Sequence, residues 1–148
     1  MAYREVRRVR ADDEARWREL WAGYIAFYRG QVSEAATAAL WAALLADDGD
    51  VRGFVVDDGE GAFGLVHYVF HRSTWSVQPI CYLQDLYVDR AARGGGAARE
   101  LMEACFAAAK SAGAFRVYWQ TQEYNAPARS LYDTIVPRSS FIVYRKPL

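Results

Sequence analysis

The chain has 148 residues, the length of one domain, and 53% of them are hydrophobic, which supplies enough apolar side chains for a compact core. Its 18 basic and 18 acidic side chains give a formal net charge of 0, which excludes the basic excess typical of a general nucleic-acid binder. The amino terminus is charged, no apolar run reaches the roughly 18 residues of a membrane span, and Cys81 and Cys105 have no metal-ligand spacing. We therefore expect one cytoplasmic domain, residues 1–148, with no nucleic-acid or membrane partner.

The amino-terminal third predicts one strand and two helices. Apolar and polar residues alternate over residues 3–9, which predicts a strand. Possible N-caps at residues 12 and 13 precede an aromatic stripe at helical spacing, which predicts an amphipathic helix closed near residue 30. Ser33 can cap a second helix. The stripe consists of Trp17, Trp21, Tyr24 and Tyr28.

The remainder predicts a sheet interrupted by two helices. Strands are expected at residues 51–56, 62–70, 80–88, 115–120 and 141–145, with a hairpin turn at 57–61. A long helix should follow the glycines at 94–96 and end near Gly113, with Leu101, Cys105, Ala108 and Ala112 on its apolar face. A short helix should cover residues 125–134. This order predicts an α/β (α+β) fold with a mixed, mostly antiparallel central sheet flanked by helices.

The segment Arg93-Gly94-Gly95-Gly96 has the composition of an anion site. Consecutive glycines leave backbone N–H groups accessible, and the helix that follows begins with unpaired N–H groups and a partial positive charge. A P-loop would need a Lys-Ser/Thr pair, and a GxGxxG motif would need glycine where Arg99 stands, so both are disfavoured. A plain glycine turn into a helix remains the alternative.

Together with the strand before it, this segment resembles the signature [RQ]xxGx[GA] of the GNAT superfamily of acetyltransferases. The resemblance covers most of the chain and implies that loop amides hold the coenzyme A pyrophosphate, while the preceding strand binds the pantetheine arm through its backbone. A later Asn-(x)6-Tyr arrangement is also shared. The resemblance implies acetyl-CoA as cosubstrate, bound by Leu86, Tyr87, Val88, Arg93, Gly94, Gly95, Gly96, Ala97, Ala98, Asn125, Arg129 and Tyr132.

The resemblance also implies a direct attack of an amine on the thioester, with Tyr132 protonating the departing thiolate. The most similar subgroup contains small acetyltransferases of polyamines, amino acids and histones, whose strand has Tyr-Leu-Glu-Asp-Leu. Here Gln84 replaces the acid proposed as general base, and a glutamine accepts no proton at neutral pH. Three alternatives stay open: another carboxylate, a water chain, or an amine that arrives neutral. We favour Glu123 over Asp85, because neighbouring strand residues point to opposite faces.

We expect the acceptor to be a primary amine on a small molecule, an amino acid or a lysine side chain. An aromatic wall with a carboxylate can hold an ammonium group by charge and cation–π attraction. The alternative for these aromatic residues is simple packing on the sheet, and the alternative function is acyl-CoA binding without turnover. No metal is expected, and the subgroup implies a homodimer with the last strand as the contact. The predicted acceptor residues are Tyr24, Phe27, Tyr28, Gln84, Asp85 and Trp119.

Overall fold

The computed structural model describes residues 3–148 as a five-stranded sheet with helices on both faces. The strand order is β1-β2-β3-β4-β5, with antiparallel neighbours up to β4 and a parallel β4–β5 pair, which confirms the predicted fold class. Short 3-10 turns cover Ala11–Asp13 and Arg90–Ala92. The elements are β1 Glu5–Arg7, α1 Glu14–Phe27, α2 Glu34–Ala46, β2 Val51–Asp57, β3 Ala62–His71, β4 Ile80–Val88, α3 Ala97–Ser111, β5 Val117–Tyr118 and α4 Ala126–Tyr132.

The sheet separates two hydrophobic cores. One core packs α1 and α2 on the sheet through Trp17, Trp21 and Trp41, which confirms that the aromatic stripe is partly structural. The other core packs α3 and α4 on the opposite face. In α3 the buried residues are Ala97, Leu101, Met102, Cys105 and Ala109, whereas Ala112 is exposed, so the predicted apolar face was wrong at its carboxyl end.

Local sequence signals place the helix ends as expected. The Ser33 hydroxyl accepts a hydrogen bond from the Ala36 amide, 3.1 Å, and begins α2. Gly113 follows α3 with φ +82°, the left-handed conformation that glycine adopts most easily. The Asn125 side chain caps α4 by accepting from the Ala128 amide, 3.4 Å. These signals begin α2 and α4 and end α3 as expected, whereas the expected N-cap Asp13 precedes α1 without a side-chain capping hydrogen bond.

The sheet opens between its last two strands. β5 pairs with β4 only at Cys81 and Tyr82, while β4 continues to Val88. Along its carboxyl half, β4 therefore has a paired strand on the β3 side and none on the β5 side within residues 3–148. We refer to the gap between β4 and the chain after β5 as the cleft.

The expected last strand at residues 141–145 is wrong, because no strand forms there. β5 is only two residues long, and no strand of residues 3–148 pairs with the segment. Its apolar side chains stay exposed: Phe141 by 91% and Tyr144 by 89%. Among the described residues, no helix is long and apolar enough to cross a membrane.

Candidate active site

The glycine segment lies at one end of the cleft and begins α3. Gly94 and Gly96 have φ +88° and +89°, and Gly96 is the N-cap of the helix. Positive φ explains the glycines, because a side chain would be strained there. Ala97 is buried beneath the turn, so the first N–H groups of a 15-residue helix are presented at a fixed place. These unpaired N–H groups and the partial positive charge of the helix terminus can receive an anion.

Two arginines surround this loop. The Arg93 Nε donates to the Val88 carbonyl, 3.0 Å, which folds its side chain back along β4 and over the Tyr87 ring. Arg4 approaches from β1: a Cβ added at Gly95 or Gly96 would lie 3.3 or 3.2 Å from its guanidinium. Glu100 holds Arg4 by two hydrogen bonds of 2.9 Å. Arg4 is not among the predicted site residues, because it is far from the loop in sequence and no local motif links the two.

The strand before the loop presents its backbone rather than its side chains to the cleft. Leu86 and Val88 pack into the α3-side core, and Tyr87 packs under α1. Gly23 allows this approach, since a Cβ there would lie 2.6 Å from the Tyr87 hydroxyl oxygen. The unpaired edge of β4 is thus a row of backbone groups available to an extended ligand.

The opposite wall of the cleft carries Tyr132 on α4. Its ring meets Trp119 edge-on with centroids 5.6 Å apart, and Trp119 stacks on Phe106 of α3 at 5.7 Å. Burial, with a smaller effect of Tyr28, raises the pKa of Tyr132 to about 12. The phenol therefore stays protonated at neutral pH and can serve as a proton donor.

Aromatic residues of α1 face the cleft from the other side. Tyr24 stacks on Trp21 at 5.4 Å and contacts Tyr28 at 4.9 Å, while Phe27 packs on Tyr28 at 5.0 Å. Burial followed by the negative charge of Asp85 raises the pKa of both Tyr24 and Tyr28. The two phenols therefore lie near the Asp85 carboxylate, on the α1 side of β4.

Asp85 lies on this side of β4 because of a β-bulge. In the β3–β4 register His67 pairs with Asp85 and Tyr68 pairs with Leu83, so Gln84 is an extra residue. The bulge turns Asp85 toward α1, where it is only 8% exposed, and leaves Gln84 exposed. The His67 Nδ1 lies 3.0 Å from the Asp85 Oδ2.

Comparison with known proteins assigns the chain to a family. Residues 11–134 match the acetyltransferase (GNAT) family. The chain belongs to the GNAT family of acetyltransferases. Over 143 residues, 95% of this chain and 89% of the relative, the acetyltransferase is 29% identical to the D-amino-acid N-acetyltransferase of Saccharomyces cerevisiae. Over 85 residues, 57% of this chain and 52% of the relative, it is 33% identical to the thialysine N-epsilon-acetyltransferase of Caenorhabditis elegans.

The fold is also found in a solved aminoglycoside acetyltransferase from an uncultured soil metagenomic sample, crystallised with trehalose. The TM-score is 0.82 with 18% identity, covering 99% of this chain and 97% of that one. Members of the GNAT family use acetyl-CoA. The activity of the chain is therefore N-acetyl transfer from acetyl-CoA to an amine, as the resemblance implied.

Most predicted site residues lie on α1, β4, the glycine loop with the start of α3, and α4, whereas Glu123 and Trp119 lie between β5 and α4. The Glu123 side chain is exposed, and its carbonyl accepts a 2.7 Å hydrogen bond from Arg129, which fixes the turn before α4. Trp119 supports Tyr132 rather than the aromatic residues of α1. Within residues 3–148 no three His, Cys, Asp or Glu side chains group as metal ligands would.

His67 is the buried polar residue that the sequence analysis left without a function. It is 2% exposed and lies between Asp85 and Trp17, whose indole nitrogen is 3.1 Å from the His67 Nε2. The only signal in the sequence was a histidine on an otherwise apolar strand, which is compatible with ordinary packing. Its partners are 50 and 18 residues away, so no local motif reveals them.

Proposed function

We propose that the acetyltransferase modifies the primary amine of a small molecule of the amino-acid or diamine class. The observation that carries this proposal is the arrangement of groups around β4. The glycine loop follows its carboxyl end, its last residues have no β5 partner within residues 3–148, and Asp85 on its α1 side lies near Tyr24 and Tyr28. The two relatives named above are enzymes of amino-acid amines, which supports the same acceptor class.

The coenzyme side of the cleft fits acetyl-CoA. The pyrophosphate would take the amides of residues 94–98 at the start of α3, beside the Arg4 and Arg93 guanidinium groups. The pantetheine arm would take the backbone edge of β4 at residues 86–88, and Asn125 and Arg129 are the residues of the α4 region that we propose beside it. When bound, acetyl-CoA supplies an acyl group activated as a thioester.

The acceptor pocket suits a small cationic amine. Tyr24 and Tyr28 provide aromatic faces, and Asp85 provides one buried negative charge. A cation–π contact in a partly desolvated pocket contributes about 1–2 kcal/mol, and the carboxylate adds a charge-assisted hydrogen bond. The pocket therefore selects a slender alkylammonium group over a neutral or anionic acceptor.

Transfer forms one N–C bond and breaks one C–S bond, so an alkylammonium nitrogen must lose two protons and the sulfur must gain one. Tyr132 is the donor that we propose for the sulfur, because it is half-buried in the cleft and protonated at working pH. Its orientation is fixed by Trp119 and Phe106, so the proton is available at one place.

Thiol release from acetyl-CoA tests this proposal. A pool of amino acids, diamines and lysine peptides is assayed with the wild type, Tyr132→Phe and the control Tyr3→Phe, whose hydroxyl bonds only Glu5 among the described residues. We expect release to depend on the small amines and to fall about 100-fold in Tyr132→Phe. Binding of acetyl-CoA without turnover of any small amine would contradict the proposed acceptor class.

A homodimer is the assembly that we propose. Residues 141–145 form no strand, and the four apolar side chains there, of Phe141, Ile142, Val143 and Tyr144, are exposed. Such a segment would gain backbone hydrogen bonds by pairing with a second sheet edge. A second copy of this chain offers the short β5 edge. Light scattering should give a dimer for the full chain and a monomer for a chain ending at residue 138. A monomeric full chain at micromolar concentration would overturn this proposal.

The cytoplasm is the compartment that we propose. The sulfur atoms of Cys81 and Cys105 are 3.9 Å apart, and both thiols are buried and free. A disulfide would place them about 2.05 Å apart. Adjacent thiols that stay reduced are typical of a reducing compartment, and fractionation of cells expressing the tagged chain tests the location.

A further inference from the structure

We propose that Asp85 receives the acceptor ammonium and takes its proton, and that His67 and Trp17 position the Asp85 carboxylate for this step. The inference rests on the proposed function, because it concerns the acceptor pocket of the same cleft. It assigns the role left open by Gln84 and gives a function to a buried histidine on β3.

The hydrogen bonds fix the proton of His67 on one nitrogen. The Trp17 indole can only donate, so the His67 Nε2, 3.1 Å away, accepts and carries no proton. The neutral imidazole then carries its proton on Nδ1 and donates it to the Asp85 Oδ2, 3.0 Å away. Protonation at Nε2 would set two N–H groups against each other, so Trp17 keeps His67 neutral.

A neutral histidine leaves the charge of Asp85 uncompensated. Trp17, His67 and Asp85 are 0, 2 and 8% exposed, so water stabilises this carboxylate poorly. Within residues 3–148 no lysine or arginine nitrogen lies within 4.0 Å of Asp85. Buried carboxylates are normally paired with a cation, and an acceptor ammonium would supply the missing charge.

The carboxylate lies among tyrosines of α1 and β4, beside the strand edge that has no β5 partner within residues 3–148. The titratable groups on which its charge acts are Tyr24 and Tyr28 on α1 and Tyr82 on β4, with Arg145 acting on Tyr82 from the carboxyl-terminal segment. Tyr28 in turn acts on Tyr132. Tyr28 therefore lies near both Asp85 and Tyr132.

The step balances without any further reactant. The first ammonium proton moves to the free oxygen of Asp85, and the resulting amine lone pair forms the N–C bond. As the C–S bond breaks, the nitrogen releases its second proton to solvent and the sulfur takes the proton of Tyr132. Asp85 then releases its proton to solvent and the Tyr132 phenolate takes one up, so the reaction releases one proton in total. The His67–Asp85 hydrogen bond stays in place throughout, so His67 positions the Asp85 carboxylate and transfers no proton.

Steady-state rates at saturating acetyl-CoA provide the first test. Asp85→Asn should lower kcat about 100-fold, since general base catalysis contributes 10²–10⁴-fold. His67→Leu should lower kcat about tenfold, whereas His67→Asn, which keeps a donor near the Nδ1 position, should recover most of that loss. The matched control is His71→Gln, because His71 is the second histidine of β3, is exposed and contacts Tyr118.

Two results would overturn the inference while leaving the proposed function intact. One is a full rate in Asp85→Asn together with a large loss in Glu123→Gln. The other is an equal loss of kcat in His67→Leu and His67→Asn, with unchanged melting temperatures. Failure of the wild type to acetylate any small amine would instead remove the proposed function, and with it this role.

A spectroscopic readout tests the positioning chain without turnover. Nitrogen NMR of the imidazoles at neutral pH should show the His67 proton on Nδ1 and a bare Nε2 that accepts from Trp17. In Trp17→Phe the donor to Nε2 is lost, so the Nε2 chemical shift should move to that of an imidazole nitrogen without this hydrogen bond. A wild-type His67 that carries its proton on Nε2 would contradict the inference.

Discussion

Two aspartates of this acetyltransferase are buried to the same 8% exposure and have opposite surroundings. Asp13 accepts hydrogen bonds of 2.8 and 3.0 Å from the Arg7 guanidinium and one of 2.7 Å from the Arg10 amide. Asp85 accepts from a neutral imidazole and faces phenols. Burial alone therefore does not distinguish a structural carboxylate from a functional one; the charge of the partner does.

The largest changes in kcat and in stability are expected when each of the two aspartates is replaced by asparagine. Asp85→Asn should lose about 100-fold in kcat with little change in stability, because no cation depends on the carboxylate. Asp13→Asn should lose about 2–4 kcal/mol of unfolding free energy, since it leaves Arg7 buried with one carboxylate fewer, and retain the kcat of the folded protein. Urea unfolding and steady-state kinetics on both variants check that one variant loses kcat and the other loses stability. Equal stability losses in the two would contradict it.

Low pH should destabilise the folded protein through Asp13 and its ion-pair partners. Hydrogen bonds from Arg7 lower the pKa of Asp13 and of Asp57 below their ordinary values. A group with a depressed folded-state pKa contributes stability above its unfolded pKa of about 3.9 and loses it as pH falls through the folded pKa. The urea midpoint should thus drop between about pH 5 and 2. Asp13→Asn should show a shallower drop, and a parallel drop would contradict the ion-pair account.

The sequence predicted local elements better than it predicted the two aspartates. The bounds of β4 and the caps at Ser33 and Gly113 follow from short patterns of composition and turn chemistry. The orientation of Asp85 depends on one extra residue in a register, which no alternation pattern reveals. His67 and Trp17 reach Asp85 only through tertiary packing. The carboxyl-terminal strand was wrong because a strand needs a partner edge, which composition does not supply.

A substitution in the glycine loop should weaken acetyl-CoA binding without affecting the acceptor pocket. Gly96→Ala places a side chain at φ +89° and 3.2 Å from the Arg4 guanidinium, at a cost of about 1 kcal/mol. We expect acetyl-CoA affinity to fall about fivefold by calorimetry with kcat at saturation retained. Gly49→Ala is the control, since a Cβ there meets no atom within 4 Å. Unchanged affinity in Gly96→Ala would remove the loop from the coenzyme site.

The smallest expected effect is on the KM of the acceptor when Tyr24, the α1 tyrosine near Asp85, is changed. The Tyr24 hydroxyl donates a long 3.4 Å hydrogen bond to the Gln84 carbonyl, which ties α1 to the bulge. Tyr24→Phe keeps the aromatic face and removes this bond, so the acceptor KM should rise about two- to threefold with kcat retained. Steady-state titration of the amine at saturating acetyl-CoA measures it. A tenfold fall in kcat would mean that Tyr24 itself moves a proton.

The pH dependence of kcat/KM for the amine, measured in parallel for the wild type and Asp85→Asn, tests the central claim most directly. With Asp85 as proton acceptor, the wild-type profile should level off well below the pKa of the free amine. Asp85→Asn reacts only with the neutral form of the amine, so its kcat/KM should rise about tenfold per pH unit up to that pKa. Two profiles of the same shape, differing only in height or not at all, would contradict Asp85 as the base.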